Sequence, residues 1–177
     1  ASFFVSRVDT LVDKLLAEKI ATGGDFESLL GKAAIANARL AYARFLDIFG
    51  GSPWKALEAR GARVQRPLWA STSTKNPRYR DVLYVEELIG PDTVDTIPPA
   101  TLDAFRDHGQ VRTSLTEDVD AAKATMDNLP KAGISMKQVT DKLTDDGVKL
   151  FADAFDQLLE AVEKASRSET TPQVSRQ

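Results

Sequence analysis

Two groups of polar side chains follow short apolar runs and could together bind an anion. Ser6 and Arg7 follow the run "ASFFV", while four hydroxyl residues (71–74) and then Lys75 follow the run "PLWA". Phosphate is typically held by such a mixture of guanidinium, ammonium and hydroxyl or backbone donors. No acidic residue occurs between positions 60 and 80, although the net charge of the chain is -3. The two groups therefore predict an anion pocket, if both runs are strands that end at one edge of a sheet.

Each segment alone also has an ordinary explanation. Arg7 could be a solvated residue at a helix start, and residues 71–80 could form a polar surface loop, since loops are generally polar. We prefer that explanation for either segment alone. For the two together we prefer phosphate binding, because ligands of parallel α/β proteins bind beyond the carboxyl ends of the strands. Arg78 and Arg80 are predicted to be surface charges.

The remaining titratable candidates are assigned structural roles. His108 follows an amphipathic run and precedes a glycine, which favours a helix-end or surface role over catalysis. Asp9 and Asp13 are predicted to cap the first helix and to be solvated. Asp95, on the third predicted strand, could point inward. The two tryptophans are predicted to be packing residues.

Composition excludes several classes of protein. The chain has no cysteine and one histidine, which excludes a disulfide framework, a thiolate metal site and a multi-histidine metal site. Its net charge argues against a general nucleic-acid binder. The apolar runs are too short to span a bilayer, and the first residues lack the basic leader of a signal peptide. We therefore expect a cytoplasmic protein with no metal, nucleic-acid or membrane partner.

Strands alternate with helices along the chain, which favours a parallel sheet. The predicted strands cover residues 1–7, 64–71 and 93–98. The predicted helices cover residues 8–21, 28–49, 52–62, 79–89, 101–107, 118–129 and 136–166, with Ser52 and Thr101 as N-caps. Three parallel strands cannot close, and a complete (β/α)8 barrel needs roughly 250 residues. We therefore expect the last part of a larger α/β protein.

Two long motifs resemble the C-terminal part of transaldolases. They are "ASFFVSRVD" and "RPLWASTSTKNPRYRDVLYVEELIGPDTVDTIPPATLDAFRDHG", and the bacterial branch with the "WASTSTKNP" loop, also found fused to phosphoglucose isomerase, is the most similar. The resemblance covers residues 1–109 and, less specifically, the final helices. It implies an α/β fold: about strands six to eight of a (β/α)8 TIM barrel with their helices, plus C-terminal helices. Residues 1–166 would be a segment of one barrel domain, and 167–177 a polar tail that we expect to be disordered.

The resemblance also implies an activity and its site. Transaldolases of the pentose phosphate pathway transfer a dihydroxyacetone unit from sedoheptulose 7-phosphate to glyceraldehyde 3-phosphate through a Schiff-base lysine, without a cofactor. Ser2 and Arg7 match the family's serine and arginine on the sixth strand and its exit. Ser71 matches the serine that ends the seventh strand. Lys75 is our choice for the family's phosphate-binding arginine, with Ser73 as an additional donor.

The lysine that performs the chemistry is not matched. The family carries it in a fourth-strand motif similar to "IKIPAT", which this sequence lacks. Lys75 is an unsuitable substitute because a Schiff-base lysine needs a desolvated setting. We therefore expect no catalytic residue in this segment, which would be inactive alone and would need the N-terminal half of the barrel, upstream or as a separate chain. Homo-oligomerisation stays open.

Two alternatives belong to other functional classes. One is a Schiff-base aldolase that cleaves fructose 6-phosphate without transfer. The other is a non-catalytic half-barrel that binds phosphosugars as it stands.

Overall fold

The computed structural model describes residues 1–169, and side chains as far as residue 167. It divides into two compact units, Ala1–Val139 and a second unit that begins at Thr140. The strands are β1 (Ser2–Phe4), β2 (Leu68–Ala70) and β3 (Val94–Asp95). The α-helices are α1 (Val5–Ala21), α2 (Ala33–Gly50), α3 (Ser52–Glu58), α4 (Leu83–Glu87), α5 (Pro99–His108), α6 (Val119–Asn128) and α7 (Met136–Glu169), with 3-10 turns at Glu27–Leu29 and Pro130–Ala132.

The first unit contains a small parallel sheet in the order β1-β2-β3. Phe3 is aligned with Trp69, and Trp69 with Asp95. The chain is thus a mixed α/β protein, mostly helical, and the predicted parallel sheet is confirmed. All three strands are shorter than predicted, and β1 ends at Phe4 because the chain turns into α1 at Val5. The prediction that strand one ends at Arg7 is wrong, since Arg7 lies in the first turn of α1.

The core of the first unit surrounds Trp69, whose side chain has no exposed surface. Val5 from α1, Tyr42 from α2 and Tyr84 from α4 belong to the same buried cluster. The ring of Phe3 packs against Trp69 with centroids 5.4 Å apart. The predicted packing role of Trp69 is confirmed, and this cluster fixes the sheet against the first two long helices.

The second helix begins five residues later than predicted. Gly31 adopts a left-handed conformation (φ 69°), which breaks a helix starting at Ser28. The ring of Tyr79 occupies the space beside Gly31, where an added Cβ would lie 2.8 Å from the Tyr79 Cζ atom. Ser28 belongs instead to the separate 3-10 turn.

Helices α3, α4 and α5 also differ from the prediction in their boundaries. α5 begins at Pro99, a residue suited to a first helical position because it has no N–H to satisfy. Thr101 is consequently a buried residue within the helix and not its cap. The N-cap of α3 is Gly51, one residue before the predicted Ser52. The predicted helix over residues 79–89 is reduced to the five residues of α4.

The second unit is formed by the greater part of α7. The helix continues to Glu169, three residues beyond its predicted end, so the predicted tail begins inside it, and residues 170–177 lie outside the described residues. Large apolar side chains of this unit are exposed, namely Val148, Leu150, Phe151, Phe155, Leu158, Leu159 and Val162. None of the described helices is both long and apolar enough to cross a membrane.

Candidate functional site

The ends of β1 and β2 are joined by two serines. The Ser6 N–H donates to the Ser71 carbonyl oxygen at 3.0 Å, and the two hydroxyl oxygens are 2.8 Å apart. Ser71 directly follows β2 and has a positive φ of 58°, which is uncommon for a residue other than glycine. The start of α1 is thereby held against the end of β2, as an anion site built from both segments requires. Either hydroxyl can be the donor of this pair, and when Ser6 donates, the Ser71 hydroxyl keeps its one hydrogen for a ligand oxygen.

Arg7 offers a positive charge close to this junction. Its side chain is exposed, and its Cζ atom lies 4.7 Å from the ring centroid of Phe4, a distance suited to a cation–π contact. Among the described residues, the guanidinium has no hydrogen bond or ion pair. Ser2 and Phe4 share the exposed face of β1, opposite to the face from which Phe3 contacts the core. Sequence reasoning missed the contact between Phe4 and Arg7, because in the predicted strand over residues 1–7 these two side chains would point to opposite faces.

Ser73 and Lys75 lie further along the loop that leaves β2. The Lys75 Nζ atom donates to the Ser73 Oγ atom at 2.7 Å. Lys75 also lines a cavity of about 280 Å³ with Thr10 and Lys14 of α1. Within residues 1–167, the hydrogen bond of the Lys75 side chain goes to Ser73 and not to Ser2, and the cavity places Lys75 beside α1.

A carboxyl group from the third strand reaches the same row of hydroxyls. Thr72 is fully buried and donates to the Asp95 Oδ1 atom at 2.9 Å. Burial raises the pKa of Asp95 to about 6, and the hydrogen bond from Thr72 opposes that rise. Asp95 is half-buried, in keeping with the inward orientation considered for it. Its carboxyl group is engaged by Thr72, the residue directly after Ser71.

Asp9 is a buried structural acid and not a solvated cap. Its carboxyl group accepts from the Ala34 N–H at 2.7 Å and from the Tyr84 hydroxyl at 2.8 Å. Burial raises its pKa to about 6; both hydrogen bonds counteract this rise, and nearby Asp13 adds to it. The sequence prediction for Asp9 is wrong because its partners lie 25 and 75 residues away and nothing local indicates them.

Asp13, one turn further along α1, holds a second pair of groups. It accepts from the Gly31 N–H at 2.9 Å and from the Tyr79 hydroxyl at 2.6 Å. Burial and the bond to Asp13 raise the pKa of Tyr79, which therefore stays protonated and acts as the donor. The prediction of a solvated capping role is wrong for Asp13 too, because its side chain connects α1 with the end of the 71–80 loop.

The other predicted surface charges lie at the surface. The Arg80 side chain is 55% exposed and pairs with Glu86 at 2.9 Å. Arg78 is exposed and lines the same cavity as Lys75. His108 ends α5 and contacts Asp81 at 2.9 Å and Asp107 at 3.1 Å, which raise its pKa. The predicted helix-end role of His108 is confirmed.

A larger cavity of about 470 Å³ lies between α2, α4 and α6. Its polar wall contains Arg39, which pairs with Glu87 at 2.6 Å, and Glu87 also pairs with Arg112. None of the predicted site residues lines it. Among residues 1–167 there is no group of three or more histidine, aspartate or glutamate side chains that could hold a metal ion.

Comparison with known proteins gives a consistent family. The family model for transaldolase/fructose-6-phosphate aldolase matches residues 1–162. The transaldolase of Thermobifida fusca is 51% identical over 163 residues, which are 92% of this chain and 44% of that protein. The transaldolase of Mycolicibacterium paratuberculosis is 50% identical over 93% of this chain and 44% of its own length. For that of Trichodesmium erythraeum the identity is 45%, over 93% of this chain and 45% of its own length.

The chain therefore spans less than half the length of these curated relatives, while nearly all of it is matched. Both motifs of the candidate site, at residues 2–7 and 71–75, fall inside the matched region. The chain belongs to the transaldolase/fructose-6-phosphate aldolase family.

Proposed function

We propose that this chain supplies the phosphate-binding side of a transaldolase active site. The observation that carries the proposal is Arg7, which directly follows Ser6 of the Ser6–Ser71 junction and whose guanidinium has no hydrogen bond or ion pair within residues 1–167, in a chain about half identical to transaldolases. The reaction transfers a dihydroxyacetone unit from sedoheptulose 7-phosphate to glyceraldehyde 3-phosphate. The chain would provide strands six to eight of a (β/α)8 barrel, with the site at the carboxyl ends of the strands.

In this proposal the residues of the chain bind the substrate and do not react with it. The Arg7 guanidinium and the Lys75 ammonium group balance the charge of the phosphate. Ser2, Ser71 and Ser73 donate hydrogen bonds to its oxygens. A phosphate bound at this edge fixes the distance between the sugar carbonyl group and the lysine that attacks it, and such positioning lowers the barrier by reducing the entropy lost in the reaction.

The Schiff-base lysine would come from an upstream segment. Lys75 is exposed and hydrogen-bonded to Ser73, which is unlike the desolvated setting of a nucleophilic lysine. More than half of the length of the named relatives lies outside the matched region. We define the assembled enzyme as this chain together with the upstream segment that supplies the remaining strands, in one polypeptide or in two.

Two surfaces support an upstream partner segment. Among the described residues, β1 pairs with β2 alone, and an unpaired parallel edge leaves backbone N–H and C=O groups open to another strand. In the second unit, α7 exposes apolar side chains at three- and four-residue spacing, including Phe151, Phe155 and Leu158. Exposed apolar patches of this kind usually mark a surface that another segment covers.

The test is the dependence of turnover on an acceptor aldehyde. The assembled enzyme is given fructose 6-phosphate, with and without erythrose 4-phosphate, and the release of free dihydroxyacetone is measured beside formation of sedoheptulose 7-phosphate. We expect sedoheptulose 7-phosphate to form when erythrose 4-phosphate is present, and no steady release of dihydroxyacetone when it is absent. Steady release of dihydroxyacetone without it would indicate an aldolase instead. Stabilisation of the chain alone by sedoheptulose 7-phosphate, with no turnover in the assembled enzyme, would indicate a non-catalytic binding protein.

A further inference from the structure

We propose that Asp13 and Tyr79 form a clamp that positions the 71–80 loop for phosphate binding. Neither residue is assigned a contact with the substrate, and both are therefore positioning residues. The inference rests on the function proposed above, because it explains how Ser73 and Lys75 are presented to the phosphate.

Both ends of the loop are attached to the same helix. At the first end, Ser71 is hydrogen-bonded to Ser6 through backbone and hydroxyl groups. At the other end, the Tyr79 hydroxyl donates to the Asp13 Oδ2 atom at 2.6 Å. Ser6 and Asp13 are seven residues apart on α1, which is about two turns and about 10 Å along the helix axis. Because Arg7 is on this helix too, α1 sets the spacing between Arg7 and the loop.

The Tyr79 end of the loop is fixed by shape as well as by the hydrogen bond. The second oxygen of Asp13 accepts from the Gly31 N–H at 2.9 Å, so the carboxylate is held between two donors. The Tyr79 ring lies against Gly31, where an added Cβ would be 2.8 Å from its Cζ atom. The phenol ring thus has one well-defined position, and the glycine before α2 is the residue that makes room for it.

The middle of the loop depends on these two ends. Among the described residues, the hydrogen bonds of residues 73–78 stay inside the loop: Lys75 to Ser73, the Arg78 N–H to the Asn76 side chain, and the Tyr79 N–H to the Asn76 carbonyl. If the Tyr79 end were released, the segment with Ser73 and Lys75 would gain conformational freedom, which phosphate binding would then have to remove. The cost would appear in affinity for phosphate and not in the chemical step.

The test compares phosphorylated and unphosphorylated acceptors in the assembled enzyme. For Tyr79→Phe we expect KM for glyceraldehyde 3-phosphate to rise roughly tenfold, as losing a charge-assisted hydrogen bond can cost. The kcat value, and kcat/KM for unphosphorylated glyceraldehyde, should change less than about twofold. Asp13→Asn, which keeps the shape of the side chain, should also raise KM for glyceraldehyde 3-phosphate. Tyr42→Phe is the matched control, since it removes a hydroxyl that binds the Pro91 carbonyl in another part of the unit.

The outcomes separate the clamp from the proposed function. If Arg7→Ala shows a loss specific to the phosphorylated acceptor and Tyr79→Phe behaves like Tyr42→Phe, the clamp is wrong and the function stands. If Arg7→Ala changes kcat/KM equally for the phosphorylated and the unphosphorylated acceptor, the proposed function fails. Equal losses on both acceptors for Tyr79→Phe would show a merely structural role and overturn the clamp. If Tyr79→Phe does not fold, as judged by thermal melting, Asp13→Asn decides by the same criteria.

Discussion

The Tyr84 hydroxyl donates a hydrogen bond of 2.8 Å to the Asp9 carboxyl group, which is 1% exposed. Burial raises the pKa of Asp9 from 3.8 to about 6. The folded protein therefore holds a proton on Asp9 in a pH range where the unfolded chain has already lost it. Burial at the junction of α1, α2 and α4 disfavours the charged form of Asp9, although the hydrogen bonds from the Tyr84 hydroxyl and the Ala34 N–H favour that form.

The first prediction concerns the pH dependence of stability. Since the folded state binds more protons between pH 4 and pH 6, the Asp9 contribution to the free energy of unfolding falls as pH rises through that range and is constant above it. The decline should be about 3 kcal/mol, from a shift of about two units at 1.36 kcal/mol each. Asp9→Asn should flatten it. Urea unfolding at pH 4, 5, 6 and 7 gives the free energy of unfolding of the assembled enzyme and of the Asp9→Asn variant. The same pH dependence in both would contradict the raised pKa of Asp9.

The second prediction concerns His108, the one histidine of the chain. Hydrogen bonds to Asp81 and Asp107 raise its pKa above the ordinary value of 6.5. Its small contribution to stability is present below pH 6.5 and is lost as pH rises through the higher folded pKa. NMR titration of the ring protons, assigned by their loss in His108→Gln, should show this, and Asp81→Asn should return the pKa towards 6.5. A large fall in kcat for His108→Gln would contradict a surface role.

The third prediction compares the two tryptophans. Trp69 is fully buried at the centre of the core, so Trp69→Ala should lower the free energy of unfolding by about 3–5 kcal/mol. Trp54 is half-buried on the short helix α3 and meets the Phe49 ring edge-on at 4.6 Å. Trp54→Ala should cost less than half as much. Equal losses in denaturant unfolding would show that the core is centred elsewhere.

The local patterns of the sequence predicted the order of elements and the parallel sheet. Alternating apolar runs and helical periods are local properties, and so is the polar character of residues 71–75. That the polar groups after β1 and β2 lie at one edge followed from the general rule that parallel strands end at one edge of a sheet, whereas the hydrogen bonds between Ser6 and Ser71 were not predicted. Local patterns do not indicate which distant residue a side chain will contact.

Asp9, Asp13 and Gly31 illustrate that missing information. An acidic residue near the start of a helix is predicted to cap it, because N-capping is a common role of aspartate at that position. Here Tyr84 and Tyr79, 75 and 66 residues further on, donate to the two acids, Asp9 in the interior and Asp13 at a half-buried position. Gly31 interrupts a helix with good periodicity because the Tyr79 ring needs the space, which no window around Gly31 could indicate.

The fourth prediction places the Schiff base outside this chain. Borohydride reduction of the assembled enzyme with fructose 6-phosphate should attach the dihydroxyacetone unit to an upstream lysine. Lys75→Met should leave the trapped yield unchanged and raise KM for the sugar phosphate. Peptide mapping by mass spectrometry identifies the modified residue, and a reduced adduct on Lys75 would show that the exposed lysine beside Ser73 is the nucleophile after all.

The most direct measurement is the substrate selectivity of Arg7→Ala in the assembled enzyme. Arg7 is exposed and contacts Phe4, and its guanidinium has no charged partner among the described residues, so its removal should spare the fold. We predict that KM for glyceraldehyde 3-phosphate rises about tenfold or more, as expected for a lost charge-assisted hydrogen bond, while kcat/KM for unphosphorylated glyceraldehyde stays within about twofold. An unchanged KM for the phosphorylated acceptor would contradict the account of this chain as the phosphate-binding side of the site.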